Sequence, residues 1–339
     1  MGPIATSYQF THPASATDES TDHPVVSVVV PVYNEEQVLP LLAERLHSVL
    51  MGVTAAHEII LVNDGSSDRT GVLLADLARK DPRVRSIHFS RNFGHQAAVT
   101  AGLQFARGRA VIVMDADLQD PPELLPALLE KWGEGFDVVY AHRVAREREG
   151  FMKRATAHVF YRLLEAMTDV RIPVDTGDFC LMDQRVVRHL NAMPERNRYV
   201  RGLRSWVGFR QTAVSFERPA RAAGRAKYSF TKSLRLAMDG VVSFSRVPLR
   251  LATYLGLFVS AMSFILGVVF IVERLAGRVE TKGWASTIVV ILFLGGVQLL
   301  TLGLMGEYIS RVYDEVKQRP LFIVRETVGF EPSPAPSAH

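Results

Sequence analysis

The run Asp115-Ala116-Asp117, with Gln119 two residues on, closes a short apolar stretch that reads as a β-strand. Two carboxylates and an amide oxygen at that spacing surround one point. Hard oxygen donors suit Mg²⁺ or Mn²⁺, which can bridge the diphosphate of a nucleotide donor and neutralise a leaving group. Acidic pairs after strands also serve as turn and helix-cap residues. Here Asp120 reads as the cap, with Pro121 at the first helical position and Glu123 closing a capping box. That assignment leaves Asp115 and Asp117 unexplained.

Asp64, in Asn63-Asp64-Gly65-Ser66-Ser67-Asp68, is an acceptor at another strand end, suited to the N–H groups of a base edge such as uracil or guanine. An Asp-Gly turn with Asp68 capping the next helix is the alternative, preferred for Gly65 to Asp68. The first loop, Pro31-Val32-Tyr33-Asn34-Glu35-Glu36, offers an aromatic wall and acceptors for a ribose and base, although each residue singly is ordinary loop chemistry. Pro219 to Ser229 is rich in Ala and Gly and carries Arg221, Arg225 and Lys227. It reads as a lid closing over phosphate, or as a solvated basic loop near anionic lipid.

The elements that must position these residues alternate. Val25–Val32, Glu58–Asn63, Arg85–Phe89, Ala110–Met114 and Asp137–Tyr140 read as strands. Between them Glu36–Leu50, Asp68–Lys80, His95–Arg107 and Pro121–Trp132 carry apolar residues at helical spacing, and Gly108 reads as a helix stop. The pattern predicts an α/β fold with a parallel sheet covered by helices, whose ligand site gathers at the carboxyl ends of the strands. Beyond Tyr140, Arg143 to Arg171 reads as a basic helical stretch and Val174 to Asp183 as a turn and short strand. Tyr199 to Glu217 reads as two short strands around Gly208.

The 48% hydrophobic content supports a sizeable core, and a single cysteine, Cys180, excludes an intramolecular disulfide or a cysteine-held metal. A net charge of +4 without a basic block argues against nucleic acid as partner. Leu251–Val272 and Ala285–Met305 are uncharged runs of about 21 residues, the length a bilayer core demands. Lys232, Arg235, Arg246 and Arg250 before the pair, and Arg311, Lys317, Arg319 and Arg325 after it, outnumber the three basic residues of the connecting loop. The positive-inside rule then puts both ends and the large N-terminal part in the cytoplasm. Tyr228 to Arg246 reads as amphipathic helices at the membrane surface, which also leave room for self-association. The expected division is a tail over 1–24, a catalytic domain over 25–228, juxtamembrane helices over 229–250, a transmembrane hairpin over 251–306 and a cytoplasmic C-terminal tail over 307–339.

Taken in order, VVSVVVPVYNEE, EIILVNDGSSDRT, RNFGHQAAVTAGL and VIVMDADLQDPPELL closely resemble family 2 glycosyltransferases. The resemblance is to the polyisoprenyl-phosphate glycosyltransferase branch, which includes dolichol-phosphate mannose synthase and bacterial bactoprenol glucosyltransferases. It extends through DTGDFCLMD, YVRGLRSWVGF, RAAGRAKYSF and GEYISRVYDEVKQRPLFIVRE. It implies a GT-A (Rossmann-like) fold, an inverting transfer from a nucleotide-diphosphate sugar to a polyisoprenyl phosphate, and a place in a bacterial plasma membrane. Matched residue by residue, Pro31, Tyr33, Glu35 and Asp64 would bind the nucleoside, with Asp115 and Ala116 also on the donor. Asp115, Asp117 and Gln119 would hold Mg²⁺ or Mn²⁺, and Arg143, Arg221 and Lys227 fall on phosphate-contacting positions. UDP-glucose is the first expectation for the donor because the closing segment looks most like bacterial glucosyltransferases; UDP-linked amino sugars and GDP-mannose stay open.

Two departures matter. Cys180 stands where the family usually has Arg, so a basic contact is lost or is supplied by Arg185 or Arg201, and the thiol itself reads as a packing residue. Arg201-Gly202-Leu203-Arg204-Ser205-Trp206 does not match the Gln-x-x-Arg-Trp motif of processive members, which argues for single transfer over a polysaccharide synthase. An inactive membrane scaffold is disfavoured by intact metal and nucleotide positions, and a nucleotidyltransferase by the lack of a Gly-rich phosphate loop. Asp117, Asp175 and Asp178 are the candidate catalytic carboxylates, the last two orienting sugar hydroxyls or acting as base.

Overall fold

The computed structural model of the chain describes residues 24–143, 176–196, 198–216, 247–276 and 283–330. The expected N-terminal tail, the basic helical stretch after Arg143 and the amphipathic segment up to Arg246 lie outside them. The described residues fall into two units, an α/β unit that includes residues 319–330 and a helical unit over 247–318.

In the first unit, β1 (Val26–Val32), α1 (Leu39–Val53), β2 (His57–Asn63), α2 (Thr70–Lys80), β3 (Val84–Phe89), α3 (His95–Phe105) and β4 (Ala110–Val113) alternate as expected. β1, β2 and β4 are buried along their whole length, because helices cover both faces of a parallel sheet. A turn at Pro122–Leu124 leads to α4 (Leu125–Gly133) and β5 (Val138–Arg143), followed by β6 (Thr176–Asp183), α5 (Gln184–Ala192), α6 (Val200–Trp206) and β7 (Gln211–Phe216). With β8 (Val324–Val328) these strands form one sheet in the order β7-β5-β6-β4-β1-β2-β3-β8.

The sheet is mixed where the sequence pattern predicts a parallel one. β6 runs antiparallel between β4 and β5, and β8 runs antiparallel to β3. Tyr199 to Trp206 is also corrected: α6 buries Val200 and Leu203 at helical spacing, and only Gln211–Phe216 is a strand. The expected capping box at Asp120 and Glu123 is not made. Asp120 turns back to accept the Asp115 N–H at 3.2 Å, while Glu123 pairs with Arg45 at 2.6 Å. Gly108 does not end α3, which stops at Phe105. A Cβ at Gly108 would stand 2.5 Å from the Ser27 nitrogen, so the glycine serves a close approach to β1.

The second unit consists of α7 (Val247–Leu275) and α8 (Trp284–Lys317), which touch each other. Within them Leu249–Glu273 and Thr287–Lys317 contain 18-residue windows with mean hydropathies of 2.6 and 2.4 and are long and apolar enough to cross a membrane. Leu257, Phe264 and Leu300 are among their many exposed apolar side chains, which water would penalise and hydrocarbon accepts. The Thr253, Thr287 and Thr301 hydroxyls return bonds to the carbonyls four residues earlier, so none is left bare.

The segment after α8 is not a tail throughout. β8 pairs with β3, Ser90 donates its N–H to the Ile323 carbonyl at 3.0 Å, and Phe322 stacks on Phe89 with ring centroids 5.0 Å apart. Phe89 in turn meets Phe93 edge-on, and Phe330 packs on Phe105 of α3. Ending the chain after Gln318 is therefore expected to lower the unfolding temperature and to speed hydrogen exchange at Ser90. Unchanged Ser90 exchange would show that β8 does not brace the loop after β3.

Candidate active site

The chain reverses its direction across the sheet at β1, which has β2 on one side and β4 on the other. Pairing with β4 ends at Val29–Val113, whereas pairing with β2 continues to Val32–Asn63, so the loops after β1 and β4 diverge around a crevice. The Val29 carbonyl faces β4 and the Val32 carbonyl faces β2, as the bonds from Met114 and Asp64 show. Alternation then turns Pro31 toward β4 beyond the last pair, where its missing N–H forfeits no ladder bond.

The first two loops clasp each other. Asn34, at φ 54°, donates its N–H to Ser66 Oγ at 3.0 Å and accepts the Ser67 N–H at 2.8 Å, and the Glu35 N–H reaches Thr70 Oγ1 at 3.0 Å. Asp68 accepts the Thr70 N–H at 3.0 Å, but the N-cap of α2 is Arg69, not Asp68, and makes no side-chain cap bond. Tyr33 is exposed and free to offer a ring face. Asp64 is buried, and its carboxylate accepts the Phe93 N–H at 2.7 Å and the Gly94 N–H at 3.0 Å. Burial pushes its pKa up, against those two bonds. A base edge meeting Asp64 would share oxygens already engaged, which is possible because each carries two lone pairs. Gly65, at φ +65°, lets the loops press together, since a Cβ there would lie 2.3 Å from the Arg91 carbonyl carbon.

The acidic loop after β4 is bent by Leu118 at φ 58° and by the Gln119 N–H donating to Asp117 Oδ1 at 3.1 Å. Asp120 lies fully buried beneath it, and Arg143 at the end of β5 approaches Asp120 Oδ1 at 3.5 Å. Burial first, and mutual repulsion next, push the Asp120 carboxyl up; burial does the same to Asp115, against the His95 charge. Among the described residues no three His, Cys, Asp or Glu side chains converge tightly enough to hold a metal alone. An ion held by this loop would have to take part of its shell from another ligand, such as phosphate. The buried Gln119 Oε1 has no hydrogen-bond partner, and it belongs to the same loop as the Asp115 and Asp117 carboxylates.

Asp178, on β6, faces this loop through one imidazole. His95 Nε2, at the start of α3, is 3.0 Å from Asp178 Oδ2 and 3.8 Å from Asp115 Oδ1. Gln96 Nε2 donates to the same Oδ2 at 3.3 Å, and an Arg201 guanidinium nitrogen lies 3.3 Å from Oδ1. Burial opposes the charge on Asp178, but the His95 bond and the Arg201 charge prevail and hold its carboxyl far below the usual range. His95 is pushed up to about 9: burial opposes this, and the bond to Asp178 and the Asp115 charge outweigh it. Cys180 is buried beside Arg204, itself fully buried; Arg185 instead binds Asp183 and Asp137. Of the two cations expected to offset Cys180, Arg201 reaches Asp178 and Arg185 does not.

Sequence reasoning did not assign roles to His95, Gln96 or Arg204. RNFGHQ was visible as a motif, but which side chains at the start of α3 face Asp178 is decided by the insertion of β6. Arg204 falls in the segment whose pattern predicts a strand and which is helical. Asp175, Arg221, Arg225 and Lys227 lie outside the described residues.

An α/β sheet of this order, with clasped loops after β1 and β2 and an acidic loop after β4, is the GT-A architecture of glycosyltransferases. The chain belongs to glycosyl transferase family 2: residues 27–190 match that family and residues 247–312 match the GtrB C-terminal hairpin. It is 50% identical over 309 residues to an uncharacterised glycosyltransferase of Bacillus subtilis (strain 168), covering 91% of this chain and 96% of the relative. It is 43% identical over 302 residues to the bactoprenol glucosyl transferase of Shigella phage SfII, covering 89% and 98%. The matched hairpin together with the two apolar helices marks a membrane protein.

Because folding raises the His95 pKa, its contribution to stability is fully present below its ordinary value of 6.5 and is lost as pH rises through about 9. In chelator, the unfolding temperatures of the wild type and His95→Gln should converge between those pH values. A gap that stays constant would mean that His95 is not held as a cation.

Proposed function

We propose that the enzyme transfers one hexose, glucose in the first instance, from a UDP-sugar to a polyisoprenyl phosphate at the cytoplasmic face of a bacterial plasma membrane, with inversion. The observation that carries this reading is the single imidazole of His95 between Asp115, at the donor side of the crevice, and Asp178. Likeness to bactoprenol glucosyl transferases over most of the chain supports the sugar and the lipid, and the apolar hairpin fits an acceptor that cannot leave the bilayer.

Tyr33 and the clasped loops bearing Glu35 and Asp64 take the nucleoside in this reading. Asp115, Asp117 and Gln119 would hold Mg²⁺ or Mn²⁺, which when bound would neutralise charge on the departing diphosphate. The acceptor phosphate has its second pKa near 6, so it is largely dianionic and needs no strong base. One of its oxygens attacks the anomeric carbon as the bond to the nucleoside diphosphate breaks, and the enzyme's main task is alignment. Asp178, kept ionised, accepts a sugar hydroxyl and fixes the ring for that attack. Arg143, with Arg221 and Lys227, would offset phosphate charge.

Full-length protein in lipid nanodiscs should be stabilised by UDP-glucose with Mn²⁺ and transfer glucose to polyprenyl phosphate, with chelator abolishing turnover. Lack of response to any UDP- or GDP-sugar, with or without Mn²⁺, would overturn the reading. Asp115→Asn and Asp117→Asn should each lower turnover by about 10²-fold or more, the scale of losing a transition-state charge partner. Asp178→Asn should depress transfer more than donor affinity; equal losses in titration and turnover would remove Asp178 from the transfer step.

A further inference from the structure

Gln96, in the motif RNFGHQ, is a polar side chain beside Asp178 that the reaction above does not use. Gln96 Oε1 accepts the Val200 N–H at 2.9 Å, and its Nε2 donates to Asp178 Oδ2 at 3.3 Å. Val200 is the first residue of α6, where backbone N–H groups have no partner within the helix, and the preceding Tyr199 supplies no side-chain cap. The orientation of the amide follows from its partners, because a backbone N–H only donates and an ionised carboxylate only accepts.

The consequence is geometric. Arg201, in the first turn of α6, holds Asp178 Oδ1, and His95, in the first turn of α3, holds Oδ2. Gln96 joins those two helix starts through one amide, so the direction of the Asp178 carboxylate depends on their separation. We propose that Gln96 is a positioning residue for transfer, setting the Asp178 carboxylate by tying the start of α6 to the start of α3. This rests on the reading of Asp178 given above. A misplacement of about 1 Å at a reacting centre can cost about 10²-fold in rate, which makes so small a link consequential.

Two substitutions separate the halves of the link. Gln96→Glu keeps an acceptor for Val200 but replaces the donor to Asp178 with a second carboxylate, and Gln96→Leu removes both. In full-length protein in nanodiscs, with UDP-glucose, Mn²⁺ and polyprenyl phosphate, both should lower kcat by about 10- to 100-fold. The Kd for UDP-glucose should stay within about twofold of wild type, as a side chain that acts only in the transition state would leave it. Wild-type kcat in either variant, or parallel loss of kcat and donor affinity in both, would overturn the proposal. Asp178→Asn measured alongside distinguishes the failures: impaired Asp178→Asn with normal Gln96 variants refutes only the role of Gln96, whereas normal Asp178→Asn refutes the underlying reading as well.

Discussion

Buried negative charge at one end of a sheet is the constraint around which the α/β unit is organised. Asp64, Asp115, Asp120 and Asp178 all lie near the carboxyl ends of β1, β2, β4 or the opposing end of β6; Asp64 and Asp120 are buried and Asp115 and Asp178 half-buried, so each gives up hydration there. Each is compensated differently. Asp64 takes two backbone N–H groups, Asp120 takes the Asp115 N–H and the approach of Arg143, and Asp178 takes His95, Gln96 and Arg201. Asp115 has the His95 imidazole 3.8 Å away, and the Gln119 oxygen in the same loop has no hydrogen-bond partner.

That compensation depends on sequence-distant elements. β6 is inserted antiparallel between β4 and β5, which brings Asp178 to the acidic loop and Cys180 opposite Val113. α6 then supplies Arg201 from a segment whose Val200 and Leu203 are buried. On the other flank, β8 and Phe322 support the loop whose Phe93 and Gly94 amides hold Asp64, so residues that follow the apolar helices in sequence belong to the Asp64 side of the α/β unit.

Much of the first half was legible in sequence because its signals are local. Short β-branched runs alternate with amphipathic helices, and parallel strands buried on both faces leave little choice of assignment. The DAD run, the Asp64 loop and the apolar hairpin could be found the same way. Boundaries and caps fared less well: Asp120 and Glu123 have the spacing of a capping box, yet a buried carboxylate gained more from the Asp115 N–H, and Glu123 from Arg45.

What the sequence determined by itself was the family, the order of strands and helices up to β5, the acidic loop and the two apolar helices, since each depends on periodicity or on a contiguous motif. Only the tertiary structure decided that β6 and β8 run against their neighbours, that α6 is helical, and that His95 stands between Asp115 and Asp178. Those outcomes depend on pairing and charge compensation between segments some tens to hundreds of residues apart, and neighbouring residues along the chain carry no record of such partners.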